Sequence, residues 1–252
     1  MKKTLGCIRK ADQDFHMIDD KDCILIGVSG GKDSLLLLHA LSLYRNFTHK
    51  HFSIKAVTVD NGIGNPDYSA VTTLCESLKI PYIIKKTQIG EIVFDYRKEK
   101  NPCALCAKMR RAVLANTCKE LNCNKLALGH HREDAVETLL LSLFFEGRFH
   151  TFHPVTELSR TGITVIRPLV YLPESHVIHM KKMLSLPVVE STCPANGKTE
   201  RETMSNLLSV IRKSFPDATD RILHALQHEP YDLWQKTKEK LFSEEQNTKQ
   251  QQ

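Results

Sequence analysis

The feature that most constrains the fold is a buried strand followed at once by a glycine turn and a helix. Residues 23–29, Cys-Ile-Leu-Ile-Gly-Val-Ser, form a continuous apolar run typical of a strand covered on both faces. The turn Gly-Gly-Lys comes next, and leucine-rich residues 33–47 then predict a helix. This is the first half of a βαβ unit, which predicts an α/β fold with ligands at the carboxyl ends of its strands.

The same alternation continues along the chain and predicts a doubly wound, mostly parallel sheet. The predicted strands are residues 23–29, 53–60, 81–87, 125–130, 163–169 and 187–191. The predicted helices are residues 33–47, 67–79, 103–121, 133–145, 173–186 and 200–215. We therefore expect one domain over residues 1–215, a helical C-terminal extension over 216–243 and a polar, glutamine-rich, disordered tail over 244–252.

Composition narrows the class of protein. No run of 18 apolar residues is present, and the basic start lacks an apolar segment behind it, so we expect a cytoplasmic protein with no membrane segment. Eight scattered cysteines in 252 residues are typical of reduced thiols rather than of a disulfide framework. A net charge of +6 is compatible with a polyanionic partner such as a nucleic acid.

The glycine turn, Ser29-Gly30-Gly31-Lys32-Asp33-Ser34, has the features of an anion site. Two glycines let the backbone approach a phosphate, and the helix N-terminus, the lysine charge and the two serine hydroxyls favour binding it. The alternative is an ordinary turn in which Asp33 only caps the helix. The spacing differs from that of the common P-loop.

The loop resembles the Ser-Gly-Gly-x-Asp-Ser motif of the PP-loop, or N-type, ATP pyrophosphatases. That resemblance implies the adenine nucleotide alpha hydrolase-like (HUP) fold and cleavage of ATP between its α and β phosphates. It also implies that Lys32 and Asp33 take part in catalysis. Residues 57–62, Val-Thr-Val-Asp-Asn-Gly, resemble the second nucleotide-binding turn of the family, which holds the adenosine and implies that Asp60 binds the nucleotide.

Residues 128–134, Leu-Gly-His-His-Arg-Glu-Asp, resemble the third segment of the family, which implies that Gly129 and His130 lie beside the nucleotide. The first acidic position is Glu133 where the family usually has Asp. Asp134 is therefore the better candidate for holding Mg²⁺, which prefers a few carboxylate oxygens completed by phosphates.

Cys103 and Cys106 lie three residues apart at a predicted helix start, followed by the basic residues Lys108, Arg110 and Arg111. We expect the helix dipole and these cations to stabilise thiolates. A Cys-x-x-Cys pair alone is compatible with a redox pair, half a zinc site or part of an iron–sulfur site.

A third soft ligand decides between these alternatives. The chain has no second Cys-x-x-Cys for zinc and no thioredoxin-like context for redox chemistry, which leaves a three-cysteine site completed by Cys193. Cys118 and Cys123 compete for that role, but their places in and just past the same helix favour packing.

Taken in order, the glycine loop, the Cys-x-x-Cys with its arginine pair, residues 129–132, residues 167–169 and Cys193 resemble the tRNA 2-thiocytidine synthetase family (TtcA type) over roughly residues 10–212. The resemblance implies a 4Fe-4S cluster on Cys103, Cys106 and Cys193. It implies that ATP and Mg²⁺ adenylate a cytidine of the tRNA anticodon loop before sulfur displaces AMP. We assign Arg110 to the charge that develops in this step. The implied partners are tRNA and a cysteine desulfurase or other sulfur donor, and a homodimer is compatible with the sequence.

Three alternatives stay open. A PP-loop tRNA ligase or amidotransferase, or a small-molecule thiolase, would use the same ATP loop without a cluster. A non-catalytic ATP-binding sensor would bind the nucleotide and never release AMP.

Overall fold

A computed structural model describes residues 1–98, 101–197 and 199–228 of the chain. Its centre is a six-stranded sheet in the order β3-β2-β1-β4-β6-β5, parallel except for β5, which pairs antiparallel with β6. The strands are β1 Cys23–Gly27, β2 Ser53–Asp60, β3 Tyr82–Lys86, β4 Lys125–Ala127, β5 Val155–Leu158 and β6 Ile163–Ile166. The predicted parallel α/β sheet is confirmed.

Eight α-helices cover the sheet in the described residues. They are α1 Lys2–Phe15, α2 Lys32–Tyr44, α3 Ser69–Ser77, α4 Pro102–Glu120, α5 Arg132–Leu141, α6 Glu174–Met183, α7 Glu200–Ser214 and α8 Ala218–His228. Residues 91–96 and 142–146 are short π-helical turns. None of these helices is long and apolar enough to cross a membrane.

Two apolar cores lie on opposite faces of the sheet. The first packs α1, α2 and α6 against β1, and the buried leucines of α2, from Leu35 to Leu38, form much of it. The second packs α4 against β1, β2 and β6 around Leu114 and Leu126. Burial on both faces explains why the strands read as continuous apolar runs.

The structure lacks one predicted strand and contains two elements that the sequence did not predict. Residues 187–191 are not a strand, because the Val189 N–H donates to the Gly30 carbonyl oxygen, 3.0 Å away, and not to a sheet neighbour. The sequence analysis also missed helix α1 and the edge strand β5. Of the predicted extension, α8 occupies residues 218–228, and residues 229–252 lie outside the described residues.

Candidate functional site

The glycine loop joins the end of β1 to the start of α2. The Ser29 N–H donates to Ser34 Oγ at 3.1 Å, and the Ser34 hydroxyl donates to the Gly31 carbonyl oxygen at 3.0 Å. Gly30 has φ +82°, a left-handed conformation in which a side chain would be strained, and a Cβ there would lie 2.9 Å from Val189. Hydrogen bonds within the loop therefore hold its conformation at the carboxyl edge of the sheet.

Lys32 is held by two carboxylates. Its Nζ lies 3.1 Å from Asp33 and 3.1 Å from Glu174, the first residue of α6. Burial lowers the pKa of Lys32, but the two carboxylates outweigh it, so the net shift of the pKa is upward. Glu174 was not predicted as a site residue, because a glutamate at a helix start gives no indication of contact with a loop 142 residues earlier in the chain.

The third segment packs directly on this loop. A Cβ at Gly129 would lie 2.9 Å from the carbonyl carbon of Asp33 and 3.0 Å from the backbone nitrogen of Ser34, so only glycine fits. His131 is buried, with ring nitrogens 3.6 Å from Asp33 and 3.5 Å from Glu133. Burial lowers the pKa of His131, and the surrounding carboxylates, Glu133 first, raise it by more.

Glu133 connects the third segment to α6. Its buried carboxylate accepts the Glu174 N–H at 2.8 Å and an Arg132 guanidinium N–H at 2.8 Å. Burial raises the pKa of Glu133, but the bonds from His131, Arg132 and the Glu174 backbone outweigh it and bring the pKa to about 2. Glu133 is thus occupied by internal contacts and fixes the start of the helix that carries Glu174.

Asp134 has a different environment. Its Oδ2 accepts the His131 N–H at 2.8 Å, and its Oδ1 accepts an Arg201 N–H at 2.8 Å from α7. It lines a cavity of about 250 Å³ together with Ser29, Asp33 and Gly129. We call this space the loop cavity.

His130 also lines the loop cavity. Burial lowers its pKa to about 4, and its ring lies 5.0 Å from that of Phe152. The imidazole is therefore neutral near pH 7 and offers a ligand one N–H donor and one nitrogen acceptor but no positive charge.

A second, adjoining cavity of about 380 Å³ is lined by Cys103, Cys106 and Cys193. We call it the thiol cavity. Cys103 and Cys106 lie in the first turns of α4, and Asp60 lines the same space, whereas Val57 of β2 lines the loop cavity and Val59 lines both cavities.

Backbone contacts bring Cys193 to this edge. The preceding segment is attached to the glycine loop by the Val189–Gly30 bond, and the Thr192 hydroxyl donates to the Ile63 carbonyl oxygen at 2.5 Å. A Cβ at Gly64 would lie 3.0 Å from Thr192, so the segment lies close against the turn after β2. The irregular path that replaces the predicted strand is what places the third cysteine.

The thiols are not activated in the way the sequence suggested. Burial, with the nearby Cys193, raises the pKa of Cys103, and burial raises the pKa of Cys106 although Arg110 opposes the shift. Arg110 therefore favours the Cys106 thiolate as expected, but burial outweighs this effect and the net shift of the pKa is upward. Lys108 and Arg111 are exposed on α4 and line neither cavity.

The three cysteines lie around one cavity. Within the described ranges, no three His, Cys, Asp or Glu side chains are arranged to hold one metal ion. A 4Fe-4S cluster takes each thiolate on a different iron, so its ligands surround a space instead of converging on a point. Three thiols around one cavity meet that requirement.

Arg110 lines both cavities, as do Ser29 and Val59. Its Nε is buried and has no hydrogen-bond partner in the part of the chain that the structure describes. A guanidinium group between the two spaces can serve an anion in either of them.

Comparison with known proteins agrees with this geometry. The sequence profile of the PP-loop domain matches residues 5–209. The chain is 36% identical over 228 residues to the tRNA-cytidine(32) 2-sulfurtransferase of Geobacter sulfurreducens, covering 89% of each chain. It is 37% identical over 230 residues to the protein of that name from Pelobacter propionicus, covering 90% of this chain and 86% of the relative.

Among solved structures, the U34-tRNA thiolase NcsA from Methanococcus maripaludis, with its [4Fe-4S] cluster, is similar with a TM-score of 0.73 and 25% identity. The alignment covers 91% of this chain and 79% of that one. The chain belongs to the PP-loop family of ATP-binding enzymes, in the group that contains the tRNA-cytidine(32) 2-sulfurtransferases.

Proposed function

We propose that this protein is an ATP-dependent tRNA thiolase that converts cytidine 32 of tRNA to 2-thiocytidine with the help of a 4Fe-4S cluster. Its relatives are named for thiolation of that nucleotide, and the similar NcsA structure contains such a cluster. The observation that carries the proposal is the pair of adjoining cavities, one beside the glycine loop and one beside three cysteines, with Arg110 lining both.

ATP occupies the loop cavity in this proposal. Its phosphates bind Ser29 to Ser34, where backbone N–H groups, the α2 N-terminus and Lys32 supply positive potential. Mg²⁺ binds the phosphates and Asp134, whose carboxylate already lines the cavity. Magnesium has to displace the Arg201 contact, which lies within ordinary ion-pair distance at 2.8 Å.

Adenylation makes the base reactive. The C2 oxygen of the cytidine attacks the α-phosphorus of ATP, pyrophosphate leaves, and the oxygen becomes part of an AMP leaving group. Sulfur then forms a bond to C2 as the C2–O bond breaks and AMP departs. Arg110 stabilises the negative charge that develops on the α-phosphate, because its guanidinium lies between the two cavities.

Cys103, Cys106 and Cys193 would hold the cluster, whose fourth iron, left without a protein ligand, supplies a binding position for sulfide. A cysteine desulfurase or another donor replaces the sulfur used in each turnover. The tRNA itself is attracted by the net charge of +6.

Anaerobic reconstitution with iron and sulfide tests the cluster, and mass spectrometry of tRNA nucleosides from a deletion strain tests the reaction. We expect a brown protein that releases AMP with tRNA, and loss of 2-thiocytidine from the strain. Cys193→Ser should lose the colour, whereas the remote Cys7→Ser should keep it. A colourless wild-type protein that still releases AMP would overturn the cluster and favour a PP-loop ligase. An unchanged thionucleoside profile would overturn the tRNA substrate.

A further inference from the structure

The thiol cavity contains an unsatisfied carboxamide oxygen. Asn61 lines this cavity, and its Oδ1 is buried without a hydrogen-bond partner in the described part of the chain. A buried carbonyl oxygen left unpaired costs free energy, so such atoms are rare in folded proteins and need an explanation. A ligand that donates a hydrogen bond would supply one.

The backbone of Asn61 is fixed in place. Its carbonyl oxygen accepts the Gly90 N–H at 2.7 Å, and the neighbouring Asp60 carboxylate accepts the Gly62 N–H at 2.9 Å. A Cβ at Gly90 would lie 3.0 Å from the backbone carbonyl oxygen of Asn61 and 2.2 Å from the side chain of Ile63, so the two segments are in close contact. The carboxamide therefore projects from a rigid turn at the end of β2.

Two aromatic side chains, Tyr68 and Phe94, line the same cavity. A nucleotide that undergoes chemistry at its base leaves the RNA stack, and proteins compensate by stacking the base on aromatic rings and bonding its Watson–Crick edge. The thiol cavity thus combines rings, an unpaired amide, Arg110 and three thiols around one space.

The chemistry of the amide matches one pyrimidine better than the other. A carboxamide presents an acceptor beside a donor. The edge of cytosine presents the 4-amino donor beside the N3 acceptor, and that of uracil presents O4 beside N3–H. When position 4 of the base lies opposite Oδ1 and N3 lies opposite Nδ2, cytosine pairs with the amide, whereas uracil in the same pose places oxygen against oxygen and N–H against N–H.

We propose that the thiol cavity is the pocket for the target base and that Asn61 is the specificity-determining residue that selects cytosine over uracil. The inference rests on the proposed tRNA thiolation and assigns the recognition of the base within that site. In this arrangement the 4-amino group of the base donates to Oδ1, and N3 accepts a hydrogen bond from Nδ2. C2 then faces the thiols and the loop cavity.

Binding measurements test the assignment without any turnover. Fluorescence anisotropy would give the affinity of the protein for a tRNA transcript with cytidine 32 and for its C32U variant. We expect the wild type to prefer cytidine, and Asn61→Ala and Asn61→Asp to reduce that preference by roughly 10- to 100-fold. Asn65→Ala, an exposed residue of the same turn, should leave the preference unchanged.

Thiolation assays separate this inference from the proposed function. If the wild type thiolates the transcript and both Asn61 variants keep its cytidine-to-uridine ratio of kcat/KM, the role of Asn61 is overturned. If the wild type thiolates no tRNA, the proposed function fails before Asn61 is tested by turnover. Asn61→Asp preserves the shape of the side chain, and an unchanged midpoint of urea unfolding in either variant shows that the fold is intact.

Discussion

At the scale of single residues, the geometry of the site depends on close contacts between segments that are distant in the sequence. Gly129 is in contact with the backbone of Asp33 and Ser34, so the third segment and the glycine loop form one surface. Glu133 bonds Arg132 and the Glu174 N–H, and Glu174 in turn pairs with Lys32. Each contact transmits the position of one segment to the next.

Gly129→Ala tests the first of these contacts. The new Cβ would lie 2.9 Å from the Asp33 carbonyl carbon, so the loop must shift. We expect ATP affinity to fall by roughly 10-fold and the protein to lose about 1–3 kcal/mol of stability from overpacking. Calorimetric titration with ATP measures the first effect and urea unfolding the second. Gly6→Ala, where no atom lies within 4 Å, should change neither for the worse.

At the scale of elements, an irregular segment occupies residues 187–191, where the sequence predicted a strand, and leads to Cys193. Residues 187–193 follow α6 and end at Cys193. Within them, the Val189 N–H donates to the Gly30 carbonyl oxygen and the Thr192 hydroxyl donates to the Ile63 carbonyl oxygen. Helix α7 follows and returns to the site through Arg201, which contacts Asp134. The elements after β6 are therefore fixed by the glycine loop and by the third segment.

Thr192→Val should loosen this segment. The change removes the hydroxyl that donates to the Ile63 carbonyl oxygen, a bond that contributes about 1 kcal/mol. We expect iron content after anaerobic reconstitution to fall several-fold while ATP affinity stays the same. Thr161→Val, in the exposed turn between β5 and β6, is the matched control. Full iron retention in Thr192→Val would show that the segment is held without this bond.

The contact between α5 and α7 contains a buried acid, Glu137. Burial, with Asp134, raises its pKa above the ordinary value of 4.5, although bonding to Ser205 and the charges of Arg201 and His131 oppose the shift. A carboxyl group whose pKa is raised in the folded state has no effect on the free energy of unfolding below about pH 4.5. As the pH rises from there the group reduces this free energy, and the reduction is complete once the pH exceeds the folded-state pKa.

Glu137→Gln should therefore raise the melting temperature at pH 8 by roughly 2 °C or more, and the gain should vanish near pH 4. Thermal unfolding across this pH range measures it. Glu157→Gln, an exposed change in β5, should give no such pH-dependent gain. A melting temperature that drops at pH 8 would mean that the charged form of Glu137 is stabilised by its surroundings.

At the scale of the whole molecule, the loop cavity and the thiol cavity adjoin at the carboxyl edge of the sheet. β1 and β2 end at the loop and thiol cavities, α4 carries two thiols into the second, and Arg110 lines both. The arrangement predicts that nucleotide binding and cluster binding are separable, and that catalysis requires the group between them.

Arg110→Lys tests that separation. Lysine keeps the positive charge but loses the planar, forked donors of the guanidinium. We expect kcat for tRNA thiolation to fall by roughly 100-fold, while ATP affinity and iron content stay close to those of the wild type. Arg111→Lys, exposed on the same helix, is the matched control and should retain activity. An equal effect of both changes would assign Arg110 to general attraction of RNA.

Local sequence was sufficient for much of the architecture. The apolar run before Ser29 and the leucines after it predicted β1 and α2, because a strand buried on both faces and a core helix each leave a direct periodic signal. The Cys-x-x-Cys at the start of α4 and the Gly-His-His before α5 were also readable, since each motif is contiguous. The edge strand β5 and helix α1 gave weaker patterns and were missed.

By itself, then, the sequence determined the parallel α/β fold, the glycine loop and the Cys-x-x-Cys pair, since short-range patterns encode all of these, whereas Cys193 was selected by elimination and by resemblance to a family. Only the tertiary structure decided that Cys193 shares a cavity with Cys103, that Glu174 pairs with Lys32, and that Asn61 Oδ1 is buried with no hydrogen-bond partner among the described residues. Those contacts join residues far apart in the chain. They depend on how loops close over the sheet edge, which no local pattern of residues specifies.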